Sequence, residues 1–501
     1  MKHGRNQTHR PPPRARTTAD TDNARKAEPG SHEWLTEKYG DAFFLGEKDQ
    51  ITKISHLYWA GAFAAANNIL FEPDEGTFWE YDETTGIYTA RSEENFKVRI
   101  GELILKKAGE WNKYGLQKHR TDTNLQAVIN LLRGIIEKKG AFIRDGRTLA
   151  VGNGICRWNP IQKDFDFLPH SPLFYLRNKS PINYHKSAGC PRFLDCLLRP
   201  VLSSDDISLF QLLAGSFLLG TNLTQKILIL DGPGELGKSC AALIVSGIVG
   251  PENTTQLRTQ LLTERFEVFR YLRKTVLLGV DVPGNFLEQR GASELKSLTG
   301  GDRLDAEGKH TNSNFQRLGD FNILITSNSK LLVRLDGDQS AWSRRLVILP
   351  FVGEPPKKRI NNFHELLLAE EGPGILGWHL AGIKRLLVEL ESNGGRVPMT
   401  REQTARTHSL IHQSDSLRLF LEQGLIEEAG SSVTVDALAT SYATWCKTRN
   451  WPAWPRSRIE RELPDAVFDT YGISKSNDLK GASGKAVRGY HGIRLRTWEE
   501  T

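Results

Sequence analysis

The chain has 501 residues, of which 25% are charged and 39% apolar, and a formal net charge of +7. One core rarely serves that length, so roughly three domains are expected. No apolar run reaches the roughly 18 residues of a membrane span and no apolar signal core stands near the start, which excludes a membrane-spanning reading and predicts a soluble, intracellular protein.

Residues 1–32 hold three consecutive prolines, seven Lys or Arg and almost no large apolar side chain. They bury too little to offset chain entropy and read as a disordered basic tail, either attracting DNA non-specifically or simply solubilising the chain. From 33 to 204 the pattern predicts a mainly helical N-terminal domain. Residues 51–70 and 103–139 carry apolar side chains at spacings of three and four, with a short aromatic, strand-like stretch at 78–88 between them. LAVGNGICRW, at 149–158, reads as a strand and turn, and 191–220 returns to helix.

The most informative stretch is GPGELGKS, from Gly232 through Pro233, Gly234, Glu235, Leu236, Gly237 and Lys238 to Ser239. An apolar run at 226–230 precedes it and another at 241–249 follows, so a buried strand feeds a glycine-rich loop that opens into a helix. In that setting G-x-x-x-x-G-K-S cradles a nucleoside triphosphate. Loop N–H groups and the helix N-terminus surround the phosphates, Lys238 reaches the β and γ oxygens, and the Ser239 hydroxyl ligates magnesium. Cys240 completes the set expected at ATP and is the cysteine to test with thiol reagents. The five cysteines, Cys156, Cys190, Cys196, Cys240 and Cys446, lack paired spacing and read as reduced thiols rather than as disulfides or a zinc module.

Three more apolar runs follow, each next to a polar residue that could carry chemistry. TVLLGVD ends in Asp281, placed to hold magnesium, and ILITSN ends in Asn328, placed to orient an attacking water. LVILPF follows Arg344 and Arg345, either of which could neutralise charge on a departing phosphoryl group, often one in an adjacent subunit. Strands alternating with helices predict a doubly wound α/β core over 205–355 with its functional residues at strand ends. Between Asp281 and Asn328 the chain predicts a short helix at 293–298, a tight turn at 299–302 and a β-hairpin with Lys309 and His310 at a basic tip. Such a tip suits a phosphate backbone, although a plain surface hairpin would look the same in isolation.

A helical lid and linker is expected over 356–405. The remainder, 406–501, predicts three helices at 414–427, 433–450 and 455–468, then a basic strand-turn-strand. Residues 447–496 carry 11 Lys or Arg against 5 Asp or Glu. Three helices and a wing suggest a winged helix, with Arg456, Arg458 and Arg461 on the recognition helix and Lys480, Lys485 and Arg488 in the wing as first phosphate contacts. The same fold also serves protein contacts.

Together GPGELGKS, VLLGVD, ELKSLTGGD, ILITSN and WSRRLVILPF resemble the superfamily-three helicases, and within them the helicase half of phage and poxvirus type primase-helicases. RTLAVGNGICRW, LPHSPLFYLRNKSPINYH and AGCPRFLDCLL resemble the domain preceding that helicase, and PGILGWHLAGIKRLL the segment after it. The resemblance covers about 145–395, and 33–145 more weakly. It implies an AAA+ P-loop NTPase core, α/β in class, forming a homohexamer that moves on single-stranded DNA with ATP and Mg2+, usually 3′ to 5′. Asp281 then stands at the Walker B position, Asn328 at the sensor, Arg344 or Arg345 at the arginine finger, and Lys309 with His310 at the DNA-binding hairpin tip. Three positions depart from the family pattern: Leu236 replaces Asn, Asp281 replaces Glu, and Glu307 replaces an Arg. These bear on the rate of hydrolysis more than on ATP binding.

The implied protein is a replication initiator and helicase of a phage or mobile element, working in the bacterial cytoplasm on single strands and on duplex origin DNA. The first 145 residues are too few for the polymerase-type domain many relatives carry, so a primase or polymerase partner is expected to be encoded separately. The alternative is an ATP-gated protein that assembles on origin DNA and recruits other machinery without unwinding it.

Overall fold

The computed structural model describes residues 27–283, 286–287, 291–307, 314–328, 339–356, 358–448, 453–480 and 486–497. Most of the basic tail, the hairpin-tip residues Lys309 and His310, and the wing residue Lys485 therefore lie outside the described residues. The rest forms two compact units. Described residues up to 73, with 77–80 and 90–139, make one; 74–76, 81–89 and those from 140 onward make the other.

In chain order the chain first forms α1 (His32–Tyr39), β1 (Phe43–Leu45), β2 (Ile51–Ile54), α2 (His56–Ala66), β3 (Ile69–Glu72), β4 (Thr77–Asp82), β5 (Ile87–Arg91), α3 (Glu93–Glu110) and α4 (Asp122–Ile135). Side-chain oxygens of Ser31, Ser55, Ser92 and Thr121 cap the four helices by accepting a main-chain N–H three residues on. The first unit packs around Trp59, Phe63, Phe78, Phe96, Ile100 and Leu132.

The antiparallel strands β6 (Thr148–Val151), β7 (Gly154–Asn159) and β8 (Asp164–Leu168) come next. Residues 33–204 thus differ from the mainly helical single domain expected of them. The stretch is mixed, with eight strands among its described residues, and the division between units falls near 140. Strands of three to six residues are too short to display a two-residue period beside strong helical spacing. For the same reason residues 51–54, expected as helix, form β2, which ends just before the Ser55 cap.

The second unit continues with α5 (Ser204–Ser216), β9 (Ile227–Asp231), α6 (Lys238–Val249), β10 (Thr254–Gln256), β11 (Val276–Gly279), α7 (Glu294–Gly300), β12 (Arg303–Glu307), β13 (Asn314–Leu318), β14 (Asn322–Ser327), α8 (Gln339–Arg345), β15 (Leu346–Pro350) and α9 (Phe363–Ser392). Five strands form one parallel sheet in the order β10-β11-β14-β9-β15. Parallel strands need both faces covered, and alternate side chains supply both cores. Leu228, Leu230, Val347 and Leu349 enter one with α5, α6 and α9, while Ile227, Ile229, Leu346 and Ile348 enter the other with α7 and α8. The expected hairpin is present as β12 paired antiparallel with β13.

The chain ends in α10 (Arg401–Ser414), α11 (Ser416–Gly424), β16 (Leu425–Thr434), α12 (Val435–Thr448), α13 (Arg456–Tyr471), β17 (Ser476–Lys480) and β18 (Ala486–Leu495). Where one helix is expected over 414–427, α11 stops at Gly424 and β16 begins. The last three strands form an antiparallel sheet in the order β16-β18-β17, which packs with α11, α12 and α13 around Phe420, Tyr442, Leu463 and Tyr490. Among the described residues no helix is long and apolar enough to cross a membrane.

Candidate functional site

The loop between β9 and α6 is shaped by its glycines. Gly232 has φ 140°, and a Cβ there would lie 2.3 Å from the Phe351 carbonyl oxygen. At Gly237, φ is 84° and a Cβ would lie 2.7 Å from a methyl of Leu197. Both positions require glycine. Leu236 between them is 3% exposed and belongs to the same apolar cluster as Leu197. Leu236 thus anchors the loop by packing, whereas Pro233, Gly234 and Glu235 stay exposed.

Gly237 supplies no side-chain cap, so the first-turn N–H groups of α6 stand at the loop mouth with the helix dipole behind them. Lys238, the first residue of α6, is 3% exposed. Its ammonium donates to the Gly232 carbonyl at 2.8 Å and to the Pro233 carbonyl. Burial lowers its pKa, opposed by the carboxylates of Asp231 and Asp281. Asp231, at the end of β9, is shifted upward by burial, opposed by the Gly232 N–H and Lys238. Burial also pushes the Cys240 thiol up to about 12, so at neutral pH it is protonated and a weak nucleophile.

Asp281 and Asn328 arrive on neighbouring strands. β11 and β14 pair in parallel with Gly279 opposite Ile325, and β14 pairs with β9 so that Ser327 stands opposite Asp231. Just beyond β11 the chain turns through Asp281 at φ 52°, where the Asp281 N–H donates to the Thr326 hydroxyl at 2.8 Å. The Asn328 amide then donates to the Asp281 carboxylate at 3.1 Å. Lys238, Ser239, Cys240, Asp281 and Asn328 line one cleft of about 960 Å³.

The far wall of that cleft was not read from the sequence. One side comes from Cys196, Leu197, Pro200 and Val201, at a π-type turn over Phe193–Leu198 and just after it. Residues among 354–364, including Arg359 and Phe363, line the cleft as well. Arg359 reaches the loop residue Glu235 at 3.4 Å. AGCPRFLDCLL had marked the first wall only as a resemblance, and nothing in the spacing of 354–364 announces the second.

The two arginines of WSRR separate. Arg345 is 5% exposed, donates to the Ala341 carbonyl at 3.2 Å, and lies against Gly300, where a Cβ would stand 2.9 Å from its Nη2. It braces the TGGD turn. Arg344 is exposed and lines a different cavity, at the opposite edge of the sheet.

In the C-terminal part, Arg456 pairs with Asp436 and with Glu460, and Arg461 pairs with Glu462. The Arg458 guanidinium sits 3.7 Å from the centre of the Trp454 ring. Lys480 and Arg488 are exposed on β17 and β18. Exposed ion pairs of this kind are worth about 1 kcal/mol or less, so a phosphate can displace them.

No family model matches the sequence, and no curated protein is similar to it. Among solved structures the chain is similar to the apo C-terminal region of NrS-1, residues 305–718, at 12% identity and a TM-score of 0.47, over 85% of this chain and 95% of that one. It is also similar to the A form of that region at 11% identity and a TM-score of 0.45, over 85% of this chain and 96% of that one. A likeness this distant leaves the assignment to the cleft itself.

Proposed function

We propose that the chain is an ATP-dependent DNA helicase and replication initiator of superfamily-three type, with an AAA+ core that works as a homohexamer. The observation that carries this reading is the convergence of Lys238, Ser239, Asp281 and Asn328 in one cleft at the C-terminal edge of the parallel sheet. The donors there fit a polyphosphate with magnesium. Loop N–H groups and Lys238 suit phosphate oxygens, while the Ser239 hydroxyl and one carboxylate suit a metal that keeps most of its ligands as water and phosphate.

ATP with magnesium supplies the phosphoanhydride whose hydrolysis drives movement. Lys238 and the residues from Gly232 to Cys240 hold the phosphates, Ser239 and Asp281 hold the metal, and Asn328 fixes the orientation of Asp281 and of the attacking water. Arg344, exposed on a separate edge, acts on the nucleotide of the next subunit; Arg345 serves as a brace. The six-element order α11-β16-α12-α13-β17-β18 supports a winged helix for duplex origin DNA, with Lys480 and Arg488 on its β-hairpin. The β12–β13 hairpin, with Lys309 and His310 in the sequence between its two strands, serves the single strand.

A strand-displacement assay on a forked duplex, with wild type beside Lys238→Ala, tests the reading. Wild type unwinds only with ATP, and the variant loses both unwinding and turnover. Origin binding and ATP turnover without displacement would favour an ATP-gated assembly protein instead.

A further inference from the structure

Within the second unit a further cavity, of about 420 Å³, lies between the β6–β7 pair, residues 173–178 and the turn after α5, and shares no lining residue with the nucleotide cleft. Three aromatic rings line it, those of Phe142, Phe174 and Tyr175. Tyr88 braces two of them from behind. Its ring stacks on Tyr175 with centroids 5.7 Å apart and planes at 17°, and meets Phe142 edge-on at 5.8 Å. Tyr88 is fixed in turn by its N–H, which donates to the Leu176 carbonyl at 2.8 Å, and by its hydroxyl, which donates to the Pro172 carbonyl at 3.3 Å. With Tyr88 on one face, Tyr175 has only the other to offer a ligand. Tyr175 also sits at φ 47° and ψ 45°, a left-handed conformation that an aromatic residue adopts only where its surroundings enforce it.

Three arginines and one carboxylate line the same cavity. Asp145 is occupied within its own turn, accepting from the Arg147 and Thr148 N–H groups at 2.8 and 3.0 Å and from the Thr148 hydroxyl at 2.9 Å. Arg177 pairs with Glu75 at 2.6 Å and lies 4.8 Å from the centre of the Phe142 ring. Arg144 crosses Gly220, where a Cβ would overlap its guanidinium, and donates to the side-chain oxygen of Asn178. Arg157 is exposed on β7, 6.0 Å from the centre of the Phe174 ring, and no carboxylate partners it among the described residues. Aromatic faces beside an arginine without a counter-charge suit a ligand that is both flat and anionic.

We infer that this cavity binds one nucleotide unit, with its base against the rings of Phe174 and Tyr175 and its phosphate against Arg157. A volume of about 420 Å³ matches a ligand of that size. The unit belongs to a free nucleotide or to a single strand of nucleic acid, which present the same base and phosphate. An extended peptide fits less well. The β6 edge beside the cavity is already taken, since the Ser180 N–H donates to the Ala150 carbonyl at 2.9 Å and the Gly152 N–H to the Ile182 carbonyl at 2.8 Å, so a peptide finds no open main chain there to pair with. The cavity also carries Ile143 and Leu173, 80% and 78% exposed, which a base or sugar would cover. Asn178 ties this wall to α6. Its amide donates to the Asn253 side chain at 2.5 Å, and Asn253 donates to the Val249 carbonyl at 2.7 Å, at the end of the helix that Lys238 begins.

Photo-crosslinking on the full chain tests this, with 5-iododeoxyuridine monophosphate and with a thymidylate oligonucleotide carrying one 5-iododeoxyuridine. Irradiation breaks the carbon–iodine bond and joins the base to an aromatic ring stacked on it, with loss of HI, and mass mapping locates the joined residue. The crosslink should fall within 142–178. Crosslinking by the monophosphate assigns the cavity to free nucleotides, and crosslinking by the oligonucleotide alone assigns it to a strand. Arg157→Ala leaves the rings in place and should lower the yield at that position at least about fivefold with subsaturating probe, while Arg157→Lys recovers part of the loss. No crosslink within 142–178 from either probe, or an unchanged yield in Arg157→Ala, overturns the inference. Binding of an acidic, aromatic peptide that Arg157→Ala abolishes, with neither nucleotide probe crosslinking, would overturn it in favour of a protein partner. None of these results bears on ATP turnover, which Lys238→Ala tests separately.

Discussion

The side-chain amide of Asn328 donates to the carboxylate of Asp281 at 3.1 Å, joining the ends of two adjacent parallel strands. Asp281 is further tied by its own N–H to Thr326, so β14 fixes both the position and the rotation of that carboxylate. Asn328→Ala should leave nucleotide binding nearly intact and lower kcat by about 10²-fold, the scale of losing one oriented polar group. Asp281→Asn should cost more, because it removes the carboxylate proposed to hold the metal as well. Steady-state kinetics beside equilibrium binding of an ATP analogue checks both, and an equal loss of binding and turnover would move these residues from chemistry to loop stability.

The glycine at 232 allows a second, purely steric prediction. Gly232→Ala places a methyl 2.3 Å from the Phe351 carbonyl oxygen at a φ of 140°, so the loop must shift away from β15. Nucleotide affinity should fall at least about tenfold, as one misplaced hydrogen-bonded phosphate contact costs about 1.5 kcal/mol or more. Gly234→Ala, where nothing lies within 4 Å of the added methyl, should bind close to wild type. Analogue titration of the two variants decides it.

Asp206 gives a stability prediction. It is 2% exposed, its N–H donates to the Ser203 cap of α5, and its carboxylate accepts from the Ser203 hydroxyl and from Gln403 and Arg406 of α10. Asp206→Ala leaves a buried Gln403 amide and an arginine without their acceptor, a loss of about 3 kcal/mol. Asp206→Asn keeps the shape and one acceptor and should lose less. Denaturant unfolding midpoints measure the difference.

His379 predicts acid sensitivity. It is 1% exposed between α5 and α9, next to Phe210 and Trp378, and burial drives its pKa down from 6.5 to about 3. In that interval the unfolded chain binds a proton that the folded chain does not. Its contribution to stability is therefore present above pH 6.5 and lost as pH falls toward about 3, at a slope of about 1.4 kcal/mol per pH unit. His379→Leu should flatten the fall in unfolding free energy between pH 6.5 and 5 by about one proton. An unchanged slope would mean that another group carries the acid dependence.

The wing residues test the DNA reading through salt. Lys480→Glu with Arg488→Glu removes two exposed cations from β17 and β18, so the slope of log K against log salt for duplex binding should fall by about two. Fluorescence anisotropy at several salt concentrations reads it, and an unchanged slope would assign this sheet to protein contacts.

The sequence by itself determined the loop, the strand-end residues and the hairpin, because each is local. A glycine pattern between an apolar strand and a helix, an acid or amide at the end of a buried run, and two short strands around a turn are written in consecutive residues, and β9, α6, β14 and the β12–β13 pair stand where those patterns put them. β2 and β16 escaped, since a strand of four residues is too short to show a period and β16, though ten residues long, runs through mostly polar or small side chains. Tertiary structure alone decided which arginine of WSRR is free. Arg344 and Arg345 are adjacent and chemically identical, yet one is buried against Gly300 and the Ala341 carbonyl while the other is exposed at a separate cavity. It also decided that Leu236 is an anchor, that residues among 354–364 wall the candidate cleft, and that Arg396 lines the same cavity as Arg344, 52 positions away in sequence. Such neighbours are set by long-range packing of the sheet and α9, which leaves no mark in the spacing of the residues that it brings together.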